Sequence, residues 1–351
     1  MYGCSRVFRP WAVGVAEISI RDVAALARVS VATVSNALNR PELVSVKAAT
    51  RVQQAIEELG YVPNIAARQL RAGRSDAIGM AVINITNPFF SGAVLGAEEV
   101  AEKAGYSVIV GNSYDSYDRE KRYLELFDRQ RLDGILLAPV GDDLSALERF
   151  DNRKVPIVLV DRSDPSGRHL SVSLDDVLGG SLATEHLLEG GARRIMFVGG
   201  PFRVAQMRDR RDGCRRTVEA AGAAFTIIET STLSVRLGRE LGDRIATLPP
   251  DERPDGIFAA NDEVALGILQ SLIRLGVSVP GEIAIVGYDD IDFAAAAIVP
   301  LTSVSQPSAE MGRRAADLLL AALAGTSDLE PVRFEPVLVQ RQSTRSPGTR
   351  S

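Results

Sequence analysis

The side chains best suited to hold a small ligand stand just beyond a series of apolar runs. Asn87, Phe89 and Phe90 follow AIGMAVI, Asp161 and Arg162 follow PIVLV, Asn261 follows GIFAA, and Asp289 closes IAIVGY. Gln306 lies on the segment LTSVSQP, and Arg210 lies after RIMFVGGP. Carboxylates, amides and guanidinium groups offer paired hydrogen bonds to adjacent hydroxyls, and flat aromatic rings cover the apolar face of a sugar. Taken singly, each could be a helix cap or a surface ion pair. Together they describe a carbohydrate pocket.

A second group has a different chemistry. In VSVATVSNALN, Val29 to Asn39, the small residues Val31 and Ala32 permit close approach to base edges and contact with thymine methyls. Asn36 can read a base edge, while Thr33, Ser35 and Asn39 suit phosphate oxygens. Catalysis lacks comparable support. The chain has two histidines, His169 and His186, and shows no nucleophile elbow, metal-spaced cluster or glycine-rich phosphate loop. The pair Asp289–Asp290 could mimic catalytic carboxylates but also ends an apolar run. No enzyme activity, catalytic residue, cofactor or metal is expected.

The elements that would position these groups follow from periodicity. Ile20, Val23, Ala24 and Ala27 share one helical face, and Val34, Ala37 and Leu38 share another after a break at Arg28–Ser30. Two short helices joined by a tight turn form a helix-turn-helix, with Ser30 as N-cap of the second. Ser45 starts a third helix, buried through Val46, Ala49, Val52, Ile56 and Leu59 and stopped by Gly60 and Pro63. From Asp76 onward, apolar runs that read as buried parallel strands alternate with helical patterns, which means a doubly wound α/β sheet. In such sheets, ligands sit beyond the carboxyl ends of the strands, where the first group of residues lies.

Charge separates the same two regions. Residues 1–75 hold 10 Lys/Arg against 5 Asp/Glu, while the remainder holds 30 against 40. A basic head on an acidic body suggests that the head alone meets a polyanion. Cys4 and Cys214 are too far apart for a CxxC site, which fits a reducing cytoplasm. No apolar run approaches the roughly 18 residues needed to span a bilayer. The stretch RVFRPWAVGVA is broken by Pro10 and too short for a signal peptide, so it reads as a loose tail or as an extension upstream of a start at Val13 or Val15.

The segment SIRDVAALARVSVATVSNALNRPELVSVKAATRVQQAIEELGYVPNIAARQL resembles the DNA-binding head and hinge of the LacI/GalR family of bacterial transcription regulators. Arg28 departs from it, standing where the family usually has a turn glycine. The resemblance implies that Ser30, Val31, Ala32, Thr33, Ser35, Asn36 and Asn39 face DNA. It also implies a hinge helix that folds when two copies meet on DNA, with Asn64 at backbone or minor-groove edges, Ala67 packing against its partner copy and Leu70 wedged into the minor groove.

For the body, it implies a two-lobed, periplasmic-binding-protein-like effector domain. Asn87, Phe89, Phe90, Asp161, Arg162, Arg210, Asn261, Asp289 and Gln306 resemble the ligand set of ribose-binding members. Gln206 and Leu233 complete the expected set, although Leu233 falls where an aromatic commonly stacks. Val204 falls where purine-responsive members carry an arginine. The expected partners are a near-palindromic double-stranded operator, a sugar effector and a second copy of the chain, with no membrane. EPVLVQRQSTRSPGTRS lacks leucine heptads, so a dimer rather than a tetramer is expected.

The expected layout is thus a disordered tail at 1–17, an all-α helix-turn-helix domain at 18–62, a hinge and linker at 63–75, an effector and dimerisation domain at 76–340, and a tail at 341–351. Within the effector domain, the N-lobe is drawn at about 76–161 plus 293–324 and the C-lobe at about 162–290 plus 325–340. A transporter's solute-binding protein would share this body but not the head.

Overall fold

The computed structural model describes residues 18–61 and 74–345 and divides into two units between Gly73 and Arg74. In the first unit, α1 (Ile20–Ala27), α2 (Val31–Asn39) and α3 (Val46–Leu59) close around Val23, Ala24, Ala27, Val34, Val52 and Ala55. Their starts are capped by short polar side chains. Asp22 accepts from Ser19 N at 2.8 Å, Ser30 Oγ accepts from Thr33 N at 3.0 Å, and Ser45 Oγ accepts from Ala48 N at 3.4 Å. Gly60 ends α3 with φ +64°, and Tyr61 N donates to Ile56 O. Arg28 holds a similar left-handed conformation, φ +53°, between α1 and α2. For a residue with a Cβ this costs about 1–2 kcal/mol, so the departure from glycine leaves the turn intact but strained.

The second unit runs β1 (Ala77–Val82), α4 (Pro88–Lys103), β2 (Ser107–Asn112), α5 (Tyr117–Arg129), β3 (Gly134–Leu137), α6 (Glu148–Asn152), β4 (Ile157–Val160) and β5 (Leu170–Leu174). It continues with α7 (Asp176–Glu189), β6 (Arg194–Gly199), α8 (Ala205–Ala220), β7 (Ala224–Glu229), α9 (Val235–Thr247), β8 (Gly256–Ala259), α10 (Asp262–Arg274) and β9 (Ala284–Asp289). It closes with α11 (Asp292–Ala296), β10 (Thr302–Ser305), α12 (Ser308–Leu323), β11 (Val332–Phe334) and β12 (Val337–Val339). The central strands AIGMAV, GILL, IVLV and GIFA are buried at every residue, as strands covered on both faces must be.

The strands form two six-stranded sheets of matching layout, β11-β5-β4-β3-β1-β2 and β12-β10-β9-β8-β6-β7. All pairings are parallel except β10 with β12. This arrangement corrects the expected lobe boundaries. Residues 170–174 belong to the N-lobe sheet, not the C-lobe, because LSVSL forms β5, whose alternating serines hide it from an apolar-run reading. Residues 302–305 pair with β9 in the C-lobe, not the N-lobe, and 332–334 pair with β5 in the N-lobe, not the C-lobe. The chain therefore crosses between lobes three times, at 175, at 306–307 and at 335–336. The first and third crossings are joined where Asp175 N donates to Phe334 O at 3.0 Å.

Helix pairs on the sheet faces meet at reciprocal glycines. A Cβ on Gly312 of α12 would overlap the Ala93 carbonyl of α4, and one on Gly96 of α4 would overlap the Ala309 carbonyl of α12. Gly180 and Gly213 join α7 to α8 in the same way, and Gly238 and Gly267 join α9 to α10. Backbone oxygen cannot step aside as a flexible side chain can, so the space is fixed. Gly312→Val is expected to lower stability by about 1–3 kcal/mol through overpacking. The urea midpoint of the full chain checks this, and an unchanged midpoint would contradict the close α4–α12 contact.

Candidate functional site

In the head, α2 presents Ser30, Val31 and Ala32 at its exposed start, with Val31 39% exposed, while Val34 is buried against α1 and α3. Thr33, Ser35 and Asn36 are half-buried. Three expected contact side chains are engaged locally. Ser30 Oγ lies 2.9 Å from Thr33 Oγ1, and Asn39 Nδ2 donates to Ser35 O at 2.8 Å. An exposed helix start with small side chains fits a groove that admits a helix end-on. Asn64, Ala67 and Leu70 of the expected hinge lie outside the described residues.

In the second unit, the carboxyl ends of both sheets converge on a cavity of about 60 Å³. Asn87, Phe89, Phe90, Asp161, Gln206, Arg210, Leu233, Asn261, Asp289 and Gln306 all line it. Arg162 does not. Its guanidinium turns to Asp142 Oδ1 at 2.8 Å and to Gly141 O at 3.1 Å, because that carboxylate on the loop after β3 offers a charged partner. Local folding places most of the others. Asn87 caps α4, accepting from Phe89 N at 2.9 Å, and Asn261 caps α10, accepting from Val264 N at 3.0 Å. Phe89 and Phe90 meet edge to face, with ring centroids 5.0 Å apart. Helix α8 begins at Ala205, which puts Gln206 on the helix.

Several contacts cross the cleft. Asn87 Nδ2 donates to Asp289 Oδ2 at 3.2 Å, and Gln206 Nε2 donates to Asp161 Oδ2 at 3.0 Å and also to the Asp161 carbonyl. Outside the cavity, Asp142 also accepts from Arg208 Nη2 at 2.8 and 2.9 Å, so one N-lobe carboxylate holds an arginine from each lobe. Three buried oxygens of cavity residues, Asp161 Oδ1, Gln206 Oε1 and Gln306 Oε1, have no hydrogen-bond partner. Buried polar atoms without partners are costly, and donors on a ligand would satisfy these acceptors.

The electrostatic centre is Arg210, 3% exposed. Its Nε donates to Asp176 Oδ1 and its Nη1 to Ala260 O, both at 2.7 Å, and its Cζ lies 3.7 Å from the Tyr288 ring centroid. Tyr288 OH donates to Asp176 Oδ1 at 2.9 Å. Burial raises the Asp289 carboxyl to about 6 despite Arg210 and the amides of Gln306 and Asn87. Burial and the neighbouring Asp289 raise Glu263 to about 7. Asp161 is pushed well above the usual carboxylate range by burial and by Asp176.

Sequence reasoning missed Asp176, which is part of the LDD start of α7, and the cavity-lining Asn84, Asp115 and Glu263. Glu263 had a legible signal, standing two residues after Asn261 in the first turn of α10.

Removing one partner of a buried ion pair leaves the other uncompensated. Asp176→Ala is therefore expected to cost about 3–5 kcal/mol in denaturant unfolding, and a loss under 1 kcal/mol would contradict the Arg210 pairing. For Asp289 and Glu263, the fold retains protons that the unfolded chain has released, so their stability contribution falls as pH rises from about 4 to about 7. The double variant Asp289→Asn, Glu263→Gln should show a shallower decline of melting temperature across that window. An unchanged slope would refute the assignment.

Comparison with known proteins agrees with this architecture. Residues 19–64 match the model for bacterial regulatory proteins of the lacI family, and 184–344 match that for a periplasmic binding protein-like domain. The ribose operon repressor of Bacillus subtilis is 35% identical over 93% of this chain and 98% of its own length. The lac repressor dimer bound to operator and an anti-inducer superposes with TM-score 0.80 at 26% identity, covering 94% of this chain and 99% of that one. A regulator from Enterococcus faecium with bound ribose superposes at TM-score 0.70 and 28% identity, covering 78% of this chain and all of that one. The chain belongs to the LacI family of bacterial regulatory proteins and is a DNA-binding transcriptional repressor.

Proposed function

We propose that this repressor binds its operator as a homodimer in the cytoplasm and releases it when a small sugar, ribose first, enters the cleft between the lobes. The observation that carries this reading is the set of unpartnered oxygens on Asp161, Gln206 and Gln306, three residues that line a cavity together with Phe89 and Phe90. Hydroxyl donors suit these acceptors, and the two rings suit the apolar face of a sugar. The similarity to a ribose operon repressor and to a ribose-bound regulator supports the same choice.

The mechanism follows from the geometry of two lobes joined by three crossings. A ligand bridging Asp161 of one lobe and Asp289 of the other favours closure and shifts the N-lobes across the dimer interface. The paired hinges, residues 63–75, then lose their folded arrangement on the minor groove. A hundredfold loss of operator affinity needs only about 2.7 kcal/mol of coupling.

Ribose is expected to raise the melting temperature of the full chain and to weaken operator binding about a hundredfold, both effects being lost in Asp289→Ala. Operator affinity should fall steeply with salt, and Leu70→Ala should reduce affinity and bending together. Melting curves and gel shifts measure these effects. A panel of pentoses and hexoses that leaves both unchanged would sink the sugar reading.

A further inference from the structure

The cleft has an uneven charge that the hydroxyl-binding set does not require. Asp115, Asp161, Glu263 and Asp289 line the cavity, and Arg210 is the one cation among its described lining residues. Arg210 gives its Nε to Asp176, one Nη1 hydrogen to the Ala260 carbonyl and its face to the Tyr288 ring, and Asp176 already offsets its charge. The cation nearest in sequence to the wall, Arg162, is held by Asp142. Arg203, whose charge acts on Asp115, donates to the Asp115 carbonyl at 2.8 Å. Among the described lining residues, four carboxylates thus face a single guanidinium whose charge Asp176 already offsets, so an anionic ligand meets a surplus of like charge.

Glu263 sits where this imbalance can be used. Its carboxylate lines the cavity from the first turn of α10, with neither a hydrogen bond nor an ion pair to any described residue. The charged group acting on it is Asp289, a second carboxylate. A phosphate or carboxylate placed here would meet like charge in a half-buried site, where screening is weak. A hydroxyl can donate to Glu263, and a protonated amine can donate while also neutralising the pair, in a charge-assisted bond about twice as strong as a neutral one.

We propose that Glu263 is the charge-selecting residue of the cleft, so that the effector class is polyhydroxylated compounds that are neutral or carry a protonated amine, with the amine preferred over the hydroxyl it replaces and anionic sugars refused. This rests on the cleft being the effector site, and it goes beyond the choice of ribose by specifying charge. Both carboxyls are held above their ordinary range by burial, and a cationic donor would offset that cost where a further anion would add to it.

The test is calorimetric titration of the full-length protein at pH 7.5 with ribose, ribose 5-phosphate and the isomeric amino-deoxy riboses. At least one amino-deoxy isomer should bind tenfold or more tightly than ribose, and ribose 5-phosphate at least a hundredfold more weakly. Glu263→Gln should shrink the amine-to-ribose affinity ratio below threefold, with operator binding of the variant confirming that it is folded. If ribose binds but no amino isomer exceeds it, or ribose 5-phosphate equals ribose, or Glu263→Gln keeps the ratio, the proposal is overturned while the sugar reading stands. If an amino isomer binds and ribose does not, the charge proposal holds and the choice of ribose fails. Absence of binding by all of these compounds overturns both.

Discussion

The effector-binding unit depends on one buried ion pair. Arg210 and Asp176 bring together α8, the first residue of α7, the carbonyl after β8 and the Tyr288 ring on β9. Burying a guanidinium carries a large desolvation penalty, offset here because Nε and Nη1 have acceptors and the flat face has a ring. The neighbouring Asp289 takes its place from this cluster. It lies 3.9 Å from Arg210, accepts from Gln306 Nε2 at 2.7 Å on the crossover and reaches Asn87 in the other lobe. Its φ of +104° shows that the surroundings hold it against backbone preference.

The glycine contacts serve this cluster directly. A Cβ on Gly180 would overlap the Arg210 carbonyl, so the approach of α7 to α8 sets how far the guanidinium reaches toward Asp176. Packing of two helix backbones and placement of one charge are the same geometric fact.

Much of this was legible in the sequence because it rests on local rules. Helix α1 begins and ends as its apolar period implies, and Ser30 and Ser45 cap as their residue types imply. The strands that are buried on both faces announce themselves as apolar runs, and the polar residues after them, Arg162 excepted, line a cavity. What escaped depends on pairing over long distance. LSVSL carries no apolar run and becomes a strand because β4 and β11 flank it. Arg162 has a suitable side chain beside Asp161, but Asp142, twenty residues earlier, claims it. Asp176 reads as an ordinary acidic residue at a helix start until its partner on α8 is known.

The three crossings and the reciprocal glycines together imply a division of labour. Helices packed backbone to backbone resist sliding past one another, so in the proposed closure each lobe would turn as a stiff body, with the bend left to the few residues near 175, 306–307 and 335–336. Since Asp175 N is bonded to Phe334 O, two of those joints bend as one. In the proposed closure, the joints are thus set apart from most of the cleft side chains, Arg210 excepted, and those side chains could be exchanged to admit a different molecule with the same three joints still carrying the movement.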